Sequence, residues 1–223
     1  NKKYCVINSF LQGQKTLMAN NNHCRQVGEM LALLHKESND FNGERNNAMS
    51  HDQWRKIFLK NQKSQNNKFT DIMPHINKEL SFLDLAWPQQ LPKGIIHGDA
   101  FQDNIFFKDD EFSGLIDFYF ACNDFYSYDL ALTINAWCFD SNINFNKNKF
   151  SYLIKGYENL RKLQEIEKQH LSILLRGAAV RILLTRIHDY IFHLESSYVE
   201  VKDPNEYYSI LKFHQNNNVS NFL

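Results

Sequence analysis

The sequence predicts an α+β protein, mainly helical, with a small β-hairpin set into a helical body. Two observations carry this. Apolar residues recur at three- and four-residue spacing along most of the chain, the stripe of an amphipathic helix with one buried face. Between Pro92 and Tyr126 that rhythm stops, and three short β-prone runs alternate with polar turns.

Before the first helix, "YCVINSFLQG" reads as a strand entering a turn. Cys24, Val27, Met30, Leu31 and Leu34 then set a helix over 23–37. The stretch from Phe41 to Lys68 is rich in Asn, Gln and charge, and its weak apolar group (Trp54, Ile57, Phe58, Leu59) predicts one short helix between loops. A stronger stripe follows at Phe69, Ile72, Met73, Ile76, Leu80 and Leu83, with Pro74 inside it, so this helix either starts near Pro74 or kinks there. Pro88 and Pro92 end it. Strands are expected at Gly94–His97, Ile105–Phe107 and Ser113–Ile116, with the acidic "KDDE" turn closing the last two into a hairpin. Helices are expected at 126–139, 145–162 and 167–195, and the apolar "LSILLRGAAVRILL" makes the last of them central. "DPNE" opens a further helix, with Asp203 as N-cap, Pro204 at the first position and Glu206 at the third. The tail "QNNNVSNFL" is expected to fray.

With 223 residues the chain can bury one sizeable core or two small ones. Its 25 Lys and Arg balance 25 Asp and Glu, and no basic block stands out, which argues against a nucleic-acid or anionic-membrane surface. A small-molecule partner fits better. Cys5, Cys24, Cys122 and Cys138 are widely spaced with no zinc-like cluster, so free buried thiols are expected. No run approaches a membrane span and the start lacks a signal-peptide pattern, which predicts a cytoplasmic protein.

The chemistry concentrates in "IIHGDAFQDNIFF" and "GLIDFYF". Asp99 and Asn104 stand five apart across a loop, and Asp117 follows thirteen later on the returning strand, so a hairpin brings all three to one end. Phosphoryl transfer needs such a set: a carboxylate to orient the attacking hydroxyl and accept its proton, and hard oxygens to hold Mg²⁺ against nucleotide phosphates. Asp99 is the candidate base; Asn104 and Asp117 are the candidate metal ligands. The spacing agrees with the kinase signature of a loop Asp, an Asn five on, and a later Asp before Phe. Turn capping alone leaves a buried-looking "LIDF" unexplained. His97 reads as scaffold. Asp103 rivals Asn104 as a metal ligand, but an Asp beside an Asn in a loop is commonly a turn former. Asp129 either accepts hydrogen bonds from the catalytic-loop backbone or is a simple helix N-terminal acid.

"HGDAFQDNIFF", "GLIDFYFACNDFYSYDLAL" and "INAWCF" together resemble the aminoglycoside-phosphotransferase-like kinases, and within them the branch acting on L-homoserine. "FLQG" and "LALLH" resemble the interlobe linker and first large helix of the same fold. The resemblance implies the C-terminal lobe of a protein-kinase-like fold over 14–223, a linker over 1–13, and ATP with Mg²⁺ as cofactors. It further implies phosphorylation of the L-homoserine hydroxyl, a step toward threonine, and a wall of the adenine site at Ser9, Phe10 and Leu11. The family differs from this chain at Ala100 and Gln102, where leucine and proline are usual. No glycine-rich strand-turn-strand precedes residue 13, so the resemblance implies an absent N-terminal lobe, a piece inactive on its own, and exposed Phe10 and Leu11 where that lobe packs.

A homoserine pocket needs an acidic or carbonyl group for the ammonium and an arginine or amide for the carboxylate. Asn123, Asp124 and Trp137 follow the metal aspartate, and Arg181 and Arg186 lie on the apolar helix; the arginines either meet a substrate or pair with an internal acid such as Asp129. Other acceptors open to the same fold are choline, a thiosugar or an aminoglycoside, and the chain could also be a truncated, non-catalytic lobe.

Overall fold

The computed structural model describes residues 9–16, 18–193 and 201–223. Its elements run β1 (Gln14–Lys15), α1 (Asn21–Glu37), α2 (His51–Lys63), α3 (Met73–Ala86), β2 (Lys93–Ile96), β3 (Ile105–Lys108), β4 (Glu111–Leu115), β5 (Cys122–Phe125), α4 (Tyr126–Trp137), α5 (Lys147–Leu160), α6 (Glu165–Phe192) and α7 (Pro204–Asn216). The expected α+β, mainly helical architecture is the observed one.

Local sequence explains most boundaries. Asn20 caps α1 by accepting from the His23 backbone N–H, while the His23 ring accepts from the Asn20 N–H in return. Pro74 lies in the first turn of α3, where its missing N–H costs nothing, so the helix starts there and does not kink. Asp203 caps α7 through the Asn205 N–H, with Pro204 at the first helical position, as expected. The β3–β4 turn places Asp109 (φ 53°) and Asp110 (φ 63°) in the left-handed region, which a two-residue hairpin requires and aspartate tolerates.

Two small antiparallel sheets result, β1-β3-β4 and β2-β5. The β2–β5 ladder was not expected: "CNDF" has no β-branched residue and no alternation, and it becomes a strand because Gly94, Ile95 and Ile96 offer it a partner. The opening strand expected over residues 4–13 falls partly outside the described residues. Residues 9–12 are not in a strand; the pairing comes at Gln14–Lys15 against Phe106–Phe107.

α6 is the axis of the body, packed by α7, α4, α2 and α3, with Leu174, Leu175, Ala178, Ala179, Leu183 and Leu184 fully buried. α1 and α5 form a second pair that crosses at Gly28 and Gly156. A Cβ on Gly28 would run into the Leu153 carbonyl, and one on Gly156 into the Arg25 carbonyl, so the two backbones touch. The tail does not fray: Val219 is fully buried, and Asn218 accepts from the Ser172 hydroxyl and the Ser220 N–H. Cys24, Cys122 and Cys138 are free and buried; Cys5 lies outside the described residues. Among the described residues no helix is long and apolar enough to cross a membrane.

Candidate active site

The catalytic-loop candidates sit between β2 and β3. Asn104 Nδ2 donates to the Asp99 carboxylate (3.0 Å) and to the Asp99 carbonyl (2.9 Å), so the five-residue spacing brings these two side chains into contact. The hairpin register then delivers Asp117: Ile105 pairs with Leu115, and the Ile116 N–H donates to the Asn104 carbonyl at 3.0 Å. Asp117 itself adopts φ 65°, ψ 64°, an uncommon conformation for a non-glycine residue, and accepts from the Tyr119 N–H. "LIDF" is not buried as expected. Ile116 is 37 % exposed and Phe118 49 %, and Asp117 faces solvent between them, because β4 ends at Leu115.

His97 links the two halves of this set. Its Nδ1 accepts from the Asp99 N–H (3.2 Å), which leaves the proton on Nε2 to be donated to the Ile116 carbonyl (3.1 Å). The fully buried ring therefore ties the loop carrying Asp99 to the segment carrying Asp117.

Beneath the loop, Asp129 resolves in favour of the first of its two readings. It is fully buried, and its carboxylate accepts from the His97 N–H and the Gly98 N–H, each at 2.8 Å, and from His35 Nε2 at 3.1 Å. His35 Nδ1 in turn takes the Tyr157 hydroxyl at 2.8 Å. Burial alone would raise the Asp129 carboxyl; the hydrogen bonds from His35 and from the His97 backbone outweigh it and hold the group below its ordinary value. Gly98, at φ 73°, turns the chain so that both N–H groups reach one carboxylate.

Arg181 is not paired with Asp129. It is 3 % exposed, donates from Nη1 to the Gly98 carbonyl at 2.7 Å and stacks over Phe120. Trp137 also faces inward: fully buried, it donates from Nε1 to the Ala100 carbonyl at 2.8 Å, because α4 directs it under the loop. Asn123 and Asp124 lie on β5, where Asn123 accepts from the Arg45 N–H and Asp124 from Asn47 Nδ2. Their acceptors pin the 45–47 segment to the sheet. Arg186 pairs with Glu206 at 2.6 Å, and Asp103 pairs with Lys202 at 2.7 Å.

At the proposed adenine wall, Ser9 is exposed and Phe10 is 93 % exposed, while Leu11 is half-buried against Gly114 of β4.

Burial pushes the Asp99 carboxyl above its ordinary value; Arg181 and His97 oppose that, and the Asp103 and Asp117 charges add to it. A carboxylate destabilised in this way is a stronger proton acceptor than one in water. Asn104 and Asp117 offer hard oxygens suited to a magnesium ion. Asn104 spends its amide N–H on Asp99, and its Oδ1 accepts no hydrogen bond from the described residues. No group of three or more His, Cys, Asp or Glu side chains fit to bind a metal occurs among the described residues.

Sequence reasoning missed His35 and Tyr157. His35 sits four residues after Leu31 on the buried stripe of α1, and a polar ring in that register needs a buried partner.

A family model described as the phosphotransferase enzyme family matches residues 3–164. Homoserine kinase of Rhodospirillum rubrum is 44 % identical over 210 residues, covering 94 % of this chain and 65 % of that protein. Homoserine kinase of Sinorhizobium medicae is 42 % identical over 207 residues, covering 93 % and 64 %. The chain thus spans just under two thirds of the length of these relatives. Among solved structures, a spectinomycin phosphotransferase superposes with a TM-score of 0.67 at 13 % identity, covering 97 % of this chain and 70 % of that one. A Plasmodium vivax ethanolamine kinase gives 0.64 at 15 %, covering 92 % and 63 %. These two share the fold. Since the family match runs from the segment before β1 through the end of α5, the chain belongs to the phosphotransferase enzyme family.

Proposed function

We propose that this chain carries the base and the metal ligands of an ATP-dependent kinase that phosphorylates the hydroxyl of L-homoserine, a reaction on the way to threonine. Residues 14–223 act as its helical lobe and 1–13 as the linker into it. The observation that carries the chemistry is the contact between Asn104 and Asp99, which leaves the amide oxygen facing away from the base. The substrate assignment rests on the homoserine kinases at 42–44 % identity.

Asp99 orients the acceptor hydroxyl and takes its proton. As the O–H bond breaks, the hydroxyl oxygen forms its bond to the terminal phosphorus of ATP, and the bond from that phosphorus to the bridging oxygen breaks to release ADP. Asn104 and Asp117 would hold magnesium, which would neutralise charge on the phosphates. His97 keeps the base and Asp117 at a fixed separation through its two ring nitrogens. Arg181 and Trp137 hold the carbonyls of Gly98 and Ala100 on either side of Asp99, so the loop is fixed before substrate arrives.

The test is an ADP-release assay on the complete gene product with Mg-ATP, comparing L-homoserine, L-serine, L-threonine, choline and kanamycin. Homoserine-dependent release is expected, reduced in Asp99→Asn by about 10²- to 10⁴-fold. Release with another acceptor alone would discard homoserine and keep the kinase.

A further inference from the structure

Beside the catalytic loop, a cavity of about 800 Å³ lies between Phe101–Asp103, the end of α4 and the start of α7. Two of its walls carry charge in an unusual arrangement. Arg186 of α6 has a side chain only 9 % exposed, yet it lines this cavity. Both hydrogens of its Nη1 are spent, on the Asp203 carbonyl (2.9 Å) and on Glu206 Oε2 (2.6 Å). Its Nε and Nη2, three N–H donors in one plane, have no partner among the described residues. That edge is open to solvent rather than sealed in the core, and an open Nε/Nη2 edge matches the two oxygens of a carboxylate. The guanidinium also lies over the Tyr207 ring, 4.5 Å from its centroid, which fixes its plane.

Glu206 supplies the other half. Its Oε2 is held by Arg186, and the side chain remains 49 % exposed at the cavity. A positive and a negative group therefore stand side by side, 2.6 Å apart. An α-amino acid carries its carboxylate and ammonium on one carbon, so it meets such a pair with each charge opposite its complement. Phe101, two residues beyond Asp99 on the same loop, lines the cavity, so one wall of it adjoins the base.

We infer that this cavity is the acceptor site and that it selects hydroxy-α-amino acids, Arg186 receiving the carboxylate on its Nε/Nη2 edge and Glu206 the ammonium. This deepens the kinase reading and rests on it for the role of the hydroxyl, but the recognition of the charged end stands separately. Cationic alcohols without a carboxylate would meet Arg186 unmatched and be repelled.

Calorimetric titration of the complete gene product carrying Asp99→Asn separates binding from turnover. L-Homoserine is expected to bind; 3-amino-1-propanol, which lacks the carboxylate, and 4-hydroxybutyrate, which lacks the ammonium, should each bind roughly 10- to 100-fold more weakly. Arg186→Lys keeps the charge and loses the planar fork, so it should weaken homoserine by a similar factor while leaving 3-amino-1-propanol unchanged. Equal affinities for homoserine and 3-amino-1-propanol would overturn the inference, whatever the enzyme turns over. The ligand series on unmutated Arg186 decides the matter even if Arg186→Lys fails to fold. A protein that binds homoserine in this pattern but releases no ADP with Asp99 intact would keep the site and discard the kinase reading.

Discussion

Asp129 is the point at which stability and catalysis can be separated by a single atom. Replacing its carboxylate with an amide keeps the shape and removes one acceptor. In either orientation the new NH₂ group faces a backbone donor: the Gly98 N–H if it takes the place of Oδ1, the His97 N–H if it takes the place of Oδ2. The first orientation costs one buried N–H its bond and the second costs two theirs, the His97 N–H and His35 Nε2, so the first is favoured, at about 1–3 kcal/mol for an unsatisfied buried group. Asp129→Asn is therefore expected to cost about 2–3 kcal/mol. Asp129→Ala orphans the His97 N–H, the Gly98 N–H and His35 Nε2 together and should cost about 4 kcal/mol, since such terms do not add fully. Urea unfolding at pH 7 measures both, and kcat of the complete gene product reports whether the loop has moved. The same carboxyl sets a pH dependence. Its folded pKa is below its unfolded value, so its contribution is fully present above the unfolded pKa of about 4 and is lost as pH falls through the folded pKa. The difference between wild type and Asp129→Asn should shrink below about pH 4. Shifts under about 0.5 kcal/mol in both variants, with kcat unchanged, would show that Asp129 does not hold the loop.

Asp99 behaves in the opposite sense. Its folded pKa is raised, so its contribution to stability is present at low pH and is lost as pH rises through that value. Asp99→Asn should raise Tm at pH 7 and make little difference near pH 3, a comparison thermal scans can make. In kcat/KM against pH, the acid limb should fall at a pH above the ordinary aspartate range, and Arg181→Met, which removes an opposing positive charge, should move that limb higher still. Trp137→Phe removes the donor to the buried Ala100 carbonyl and should cost about 1–2 kcal/mol in urea unfolding, with a fall in kcat at constant ATP affinity. Gly28→Ala forces α1 and α5 apart and should destabilise by about 1–3 kcal/mol, read from the same unfolding curves.

The helical body was legible because its periodicity is strong and its caps are local: Asp203, Pro204 and the Asp109–Asp110 turn each act through their own backbone. The contact of Asp99 with Asn104 was legible from the short loop, and the arrival of Asp117 two residues beyond the returning strand from the hairpin register that ends at Leu115. β5 was not, because its strand character comes from a partner nearly thirty residues earlier and not from its own residues. Arg181 and Trp137 turn inward to hold carbonyls of the catalytic loop, and their residue types alone left that open. Their residue types suit a ligand, but which way they point depends on how α6 and α4 pack beneath the loop, a long-range fact. The tail was misjudged by composition: its polar run conceals Val219, which finds a fully buried place.

The meeting of α1 and α5 at Gly28 and Gly156 reaches further than packing. α1 carries His35 and α5 carries Tyr157, and the bond between them is the last link in the support of Asp129 and so of the catalytic loop. Helix spacing at the crossing thereby becomes a calibration of where the base sits. Two hydrogen atoms in place of two methyl groups, far from any reacting atom, set the tolerance of the chemistry, and a graded series at those positions would tune turnover as a screw tunes a string.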